Sequence, residues 1–176
     1  ETMSNSLTKP EYASLSENIN QEASVEMLNP LSNDLKTMRQ SLLFSGLESV
    51  AYNINRKNSS LQFYEFGKTY HKYNEKYEEI KHLTLFVTGN RAKDSWSIAN
   101  KTSDFFYLKG IIRSILERIG VSNLKTSPIK TDVFSEGIVF SLGKKKLVEF
   151  GVVSKQIRKE FGIKQEVLFM MTVKET

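Results

Sequence analysis

NPLSNDLKTMRQSLL at Asn29 to Leu43 and DFFYLKG at Asp104 to Gly110 decide the fold of this 176-residue chain, because each opens an amphipathic helical pattern. Beyond the first stretch, Leu43, Leu47, Val50 and Ile54 recur at helical spacing, with Glu48, Asn53 and Arg56 on the opposite side. The spacing predicts a helix over Leu42 to Arg56, with Ser45 and Glu48 in capping-box relation. The second stretch leads into Leu108, Ile111, Ile112, Ile115, Leu116 and Ile119, a wide apolar stripe. Asp104 has the chemistry of its N-cap and Gly120 that of its C-terminal stop.

Strand patterns fill the space between and after these helices. LQFYEFGKTYHKY, Leu61 to Tyr73, places Leu61 and Phe63 on one face and Tyr64 and Phe66 on the other, so both faces are expected to be buried. Tyr70 to Tyr77 reads as a tyrosine-rich connection to a second strand, His82 to Thr88, closed by Gly89-Asn90. Beyond Pro128, Gly137 to Leu142 and Leu147 to Val153 form a hairpin about the turn Gly143-Lys144-Lys145-Lys146. A short helix capped by Ser154, with Ile157 and Phe161 inward and Gly162 ending it, precedes a last strand, Val167 to Val173. Several connections are too short for parallel crossovers, so the expected class is α+β: a mainly antiparallel sheet flanked by helices. Residues 1–28, polar and poor in large apolar groups, read as a strand remnant and loop of the same domain that residues 29–176 build.

Composition bounds the chemistry. The length suits one domain with a sizeable core, and 26% charged against 39% hydrophobic residues is ordinary for a globular chain. No apolar run reaches the roughly 20 residues of a membrane span, and the opening ETMSNSLTKPEYA lacks the pattern of a signal peptide. A start at Glu1 suggests a piece of something longer. Zero cysteines exclude disulfides, thiolate nucleophiles and thiolate metal sites, and permit a cytoplasmic location. The net charge of +5 is compatible with an anionic partner such as RNA, though a plain solvated surface is the commoner meaning of such a charge.

Neither GxGxxG nor a P-loop pattern occurs, and His71 and His82 have no second ligand at metal-binding spacing. Asp94 and Ser95 lie near His82 in sequence, but no GxSxG elbow accompanies them. No catalytic, cofactor-binding or metal-binding residue is therefore assigned. Lys144, Lys145 and Lys146 carry charge suited to a nucleic-acid phosphate backbone, but a solvent-exposed hairpin turn normally carries such charge, and that is the commoner outcome. Glu65, set in an aromatic run, needs an ion-pair or amide partner if buried. Tyr64, Tyr70, Tyr73 and Tyr77 have the rings to stack bases or meet a partner, with core packing the commoner outcome.

The ordered pieces NPLSNDLKTMRQSLL, AYNINR at Ala51 to Arg56, FYEFGKTY at Phe63 to Tyr70 and DFFYLKG resemble the catalytic-like module of the bacterial phenylalanyl-tRNA synthetase β subunit, from about Val25 to Val173. The resemblance implies a class II synthetase fold. It implies a parent phenylalanine-tRNA ligase, an (αβ)2 heterotetramer that uses ATP and Mg²⁺ to join phenylalanine to tRNA(Phe), with the active site on the α subunit. In catalytic members, a segment of the form glycine, basic, apolar, aromatic, arginine clamps the α-phosphate. Gly67-Lys68-Thr69-Tyr70 roughly fits that segment, with Thr69 at its apolar position, and His71 stands in the arginine position. A glycine-rich strand-to-helix segment ending in arginine is expected near the C-terminus, where VLFMMTVKET stands, with Leu168, Phe169 and Met170 in the space ATP would need. The expected role is a non-catalytic scaffold for subunit assembly and for shaping the α-subunit site and tRNA path. The alternatives are a surviving adenylate or small-ligand domain, or direct tRNA binding.

Overall fold

The computed structural model describes residues 1–92, 96 and 99–173; Asp94 and Ser95 lie outside them. In chain order the elements are β1 (Leu7–Thr8), β2 (Thr37–Met38), α1 (Leu43–Ile54), β3 (Leu61–Tyr73), β4 (Lys76–Thr88), α2 (Phe105–Arg118), β5 (Lys125–Ile129), β6 (Phe134–Leu142), β7 (Lys145–Val153), α3 (Lys155–Glu160) and β8 (Val167–Thr172). Six strands form one antiparallel sheet in the order β3-β4-β8-β7-β6-β5, and β1 pairs with β2 separately. The fold is α+β, as the periodicities indicate.

Each face of the sheet has its own core. On one side Leu43, Phe44, Leu47 and Val50 of α1 pack on Leu61, Phe86, Val167 and Phe169. On the other, Leu108, Ile112 and Leu116 of α2 pack on Leu85, Val87, Phe150, Leu168 and Met170. Burying each such side chain contributes about 1.5–3 kcal/mol, so the two helices hold the sheet from opposite sides. Consecutive residues of β8 alternate between these cores, because successive strand side chains point to opposite faces.

Helix boundaries follow local polar chemistry. Asp104 Oδ1 accepts the Tyr107 N–H at 2.8 Å, and Gly120 takes φ +82° after α2. The Ser45–Glu48 capping box is not formed. Ser45 already lies inside α1, where its hydroxyl donates back to the Leu42 carbonyl at 3.2 Å, and Ser41 Oγ accepts the Leu43 N–H at 3.1 Å. Glu48 is engaged by the Tyr12 hydroxyl instead. Ser154 does precede α3, but its side chain makes no capping hydrogen bond.

Four further expectations change. Tyr70 to Tyr77 is not a loop: β3 runs on to Tyr73, and Asn74 and Glu75, at φ 46° and 67°, turn the chain straight into β4. Tyr64 and Phe66 are 40% and 69% exposed, because the α2-side core draws on β4, β6, β7 and β8 and stops short of β3. Ile119 is likewise exposed at the end of the α2 stripe. The strand β5 was hidden by Pro128, which an edge strand tolerates.

Candidate functional site

Glu65 is buried on the α1 side of β3, and its charge is met there. Arg39 Nη1, from the MRQSLL stretch, donates to Glu65 Oε1 at 3.0 Å. The Ser4 hydroxyl and amide add bonds to the same carboxylate at 2.8 and 3.3 Å, so the first residues of the chain are tied to β3. Arg39 Nε donates to the Lys68 carbonyl at 2.9 Å. A Cβ at Gly67 would stand 2.7 Å from Arg39 Nη2 and 2.3 Å from Leu42, which gives the glycine of this segment a packing reason. Sequence reasoning asked for a partner to Glu65 but did not name Arg39; the signal was a basic residue three positions before the apolar run Leu42-Leu43.

His71, in the arginine position of the resemblance, joins a chain of hydrogen bonds. His82 Nδ1 lies 2.7 Å from the Thr172 carbonyl, which can only accept, so Nδ1 carries the proton of the neutral ring. His82 Nε2 then accepts from the Thr69 hydroxyl at 2.9 Å, and His71 Nε2 donates to Thr69 Oγ1 at 3.3 Å. Burial pushes the His82 pKa below its ordinary value; the Thr172 carbonyl acts in the opposite sense, and the Arg39 charge lowers it further. His71 also stacks on Tyr73, with ring centroids 6.0 Å apart.

Lys144, Lys145 and Lys146 sit at the β6–β7 hairpin, all exposed. The turn proper is Gly143-Lys144; Lys145 and Lys146 already belong to β7, and Lys146 Nζ approaches Glu149 Oε1 at 3.7 Å. Tyr73 and Tyr77 are exposed near the tip of the β3–β4 hairpin rather than in the core. Leu168 and Met170 turn into the α2-side core, so of the three bulky residues only Phe169 faces α1. Beside it a cavity of about 240 Å³ remains, bounded by Phe44, Phe134, Phe169, Met171, Thr131 and Glu149 among others.

No group of three or more His, Asp or Glu side chains placed to hold a metal occurs among the described residues. No helix among them is long and apolar enough to cross a membrane.

The architecture matches solved synthetases. The pyrrolysyl-tRNA synthetase of Desulfitobacterium hafniense superposes with a TM-score of 0.71 over 97% of this chain and 58% of that one, at 15% identity, and a second structure of the enzyme gives 0.69. These likenesses establish the class II synthetase-like fold. In sequence, phenylalanine–tRNA ligase β subunits of Bacteroides thetaiotaomicron, Bacteroides fragilis and Porphyromonas gingivalis are 42%, 40% and 34% identical over 96% of the chain. The chain spans 22% of the length of each of these relatives. The model of the phenylalanyl tRNA synthetase beta chain CLM domain matches residues 1–171. This chain therefore belongs to the phenylalanyl-tRNA synthetase β-chain CLM-domain family.

Proposed function

We propose that the chain is a non-catalytic module of a phenylalanine–tRNA ligase β subunit, a scaffold that assembles with the α subunit and shapes its active site and tRNA path. The observation that carries this reading is the closed polar network on the α1 side of β3 and β4. Arg39 is neutralised by Glu65, and the relay from His71 through Thr69 and His82 ends on the Thr172 carbonyl. A polyphosphate clamp needs a guanidinium aimed at the ligand, and a neutral imidazole supplies neither that permanent charge nor its forked geometry.

No group of the polar network is left to clamp ATP or Mg²⁺: the buried guanidinium of Arg39 is committed to Glu65, Ser4 and the Lys68 carbonyl. On this reading ATP, Mg²⁺ and phenylalanine are handled by the α subunit of an (αβ)2 assembly in the cytoplasm, and contact of the Lys144–Lys146 hairpin with tRNA is secondary.

Co-expression with a phenylalanine–tRNA ligase α subunit, followed by size-exclusion chromatography and calorimetry, tests the proposal. The expected result is a stable complex, with no heat of ATP or adenylate-analogue binding to this chain alone. Submicromolar binding of either ligand to the isolated chain, or failure to associate with α, overturns it.

A further inference from the structure

We propose that the cavity on the α1 side of the sheet binds a small apolar ammonium compound, with Glu149 as its counter-ion. The inference stands on the cavity alone and is independent of the subunit reading. At about 240 Å³ it has room for roughly eight waters at liquid density, the scale of one ring or a short branched chain.

Three phenylalanine rings form part of its wall beside uncharged polar side chains such as Asn18, Gln40 and Thr131, and its charged lining residue, Glu149, is negative. Phe44, Phe134 and Phe169 are almost fully buried, with Phe134 and Phe169 stacked at 6.3 Å between centroids. Glu149 rises from β7 between two apolar cross-strand neighbours, Val139 and Met171. Its ion-pair partner among the described residues, Lys146, is 3.7 Å away, outside hydrogen-bonding distance, and 61% exposed. A carboxylate so placed has acceptor capacity left for a ligand. Thr131 Oγ1, also lining the cavity, is buried with no hydrogen-bond partner in the protein, and an unsatisfied buried hydroxyl is costly unless something enters to bond it.

These features select the ligand's chemistry. No Lys or Arg lines the cavity, so a phosphate or carboxylate would face Glu149 without compensation. An ammonium group gains Glu149 as ion pair, Thr131 as acceptor and the ring faces as cation–π partners, while its apolar body covers Phe169 and Met171. Part of the wall is already fixed: Asp132 accepts from Ser16 Oγ, Glu17 N–H and Asn18 Nδ2 at 3.1, 2.8 and 3.2 Å, pinning the loop whose Ser16 and Asn18 line the cavity. A ligand therefore need not order the loop itself, which lowers the entropic cost of binding.

The test is an NMR titration of the chain with benzylammonium, benzyl alcohol and benzoate, three probes of similar shape and different charge. Saturable shifts at Thr131, Glu149 and Met171 are expected with benzylammonium, and affinity about tenfold or more weaker for the alcohol and for benzoate, the worth of one charge-assisted bond. Glu149→Gln should lower benzylammonium affinity by a similar factor, its retained spectrum reporting that the fold is intact. Equal affinity for benzylammonium and benzyl alcohol, an unaffected Glu149→Gln, shifts confined to other surfaces, or no saturation overturns the proposal. The three-probe comparison on the unmodified chain decides the matter even if Glu149→Gln does not fold.

Discussion

The side chains of Arg39 and Glu65 are 5% and 2% exposed, so each has exchanged water for the other and for Ser4. Burial makes the pair expensive to break, because the survivor is left charged in a poorly solvating site. Arg39→Met should therefore destabilise the chain by about 3–5 kcal/mol, read as a lower urea midpoint. Glu65→Gln strands the guanidinium and should also destabilise. In the double variant neither charge is left unopposed, so its loss should fall short of the sum by about 1–3 kcal/mol. Additive losses would show that Arg39 acts through its bond to the Lys68 carbonyl and its packing rather than through Glu65. Glu65's need for a partner was legible from its aromatic neighbours, whereas Arg39 became its partner only once β2 and β3 were folded together.

Between elements, the closest approach is set by glycine. A Cβ on Gly46 would stand 2.0 Å from Phe86 Cζ, and that ring is itself held against Phe169 at 4.8 Å between centroids. Alanine raises intrinsic helix propensity by about 1 kcal/mol, but overpacking a close-packed core costs about 1–3 kcal/mol or more. Gly46→Ala should thus be net destabilising by about 1–2 kcal/mol, lowering Tm at about 2–4 °C per kcal/mol. Gly110, inside α2, has open space where its Cβ would be, so Gly110→Ala should raise stability by about 0.5–1 kcal/mol. Two like-signed Tm shifts in a thermal scan would reject this account of helix packing. Helices and paired strands were readable because their apolar periods repeat over several residues. The hairpin turn at Asn74-Glu75 was not, since a left-handed Glu75 carries no turn signature, and neither was β5, whose pairing with β6 lies outside its own sequence.

Across the whole molecule, the relay through His82 joins three strands, β3 by Thr69, β4 by His82 itself and β8 by the Thr172 carbonyl. Of the candidate site, His71 stood out in the sequence through the resemblance, as the residue in the arginine position of its segment. Glu149 carried no such mark, because its meaning comes from the cavity that α1, β7 and β8 enclose. Protonating His82 would put a second donor on Thr69 Oγ1, which already receives His71 Nε2–H, and leave the Thr69 hydroxyl proton without its acceptor. With the folded pKa lowered, the unfolded chain binds the proton first, so stability is fully present above the ordinary value of 6.5. It is lost as pH falls through 6.5 towards the lower folded value, with a slope of at most about 1.4 kcal/mol per pH unit for one proton. Urea unfolding between pH 7.5 and about pH 5, above the range of ordinary carboxylates, should show this decline. Replacing His82 by Asn, which keeps a donor and an acceptor without a titrating ring, should flatten the profile by that amount. An identical slope in both proteins would place the acid sensitivity in another group and leave His82 a purely structural link between the strands.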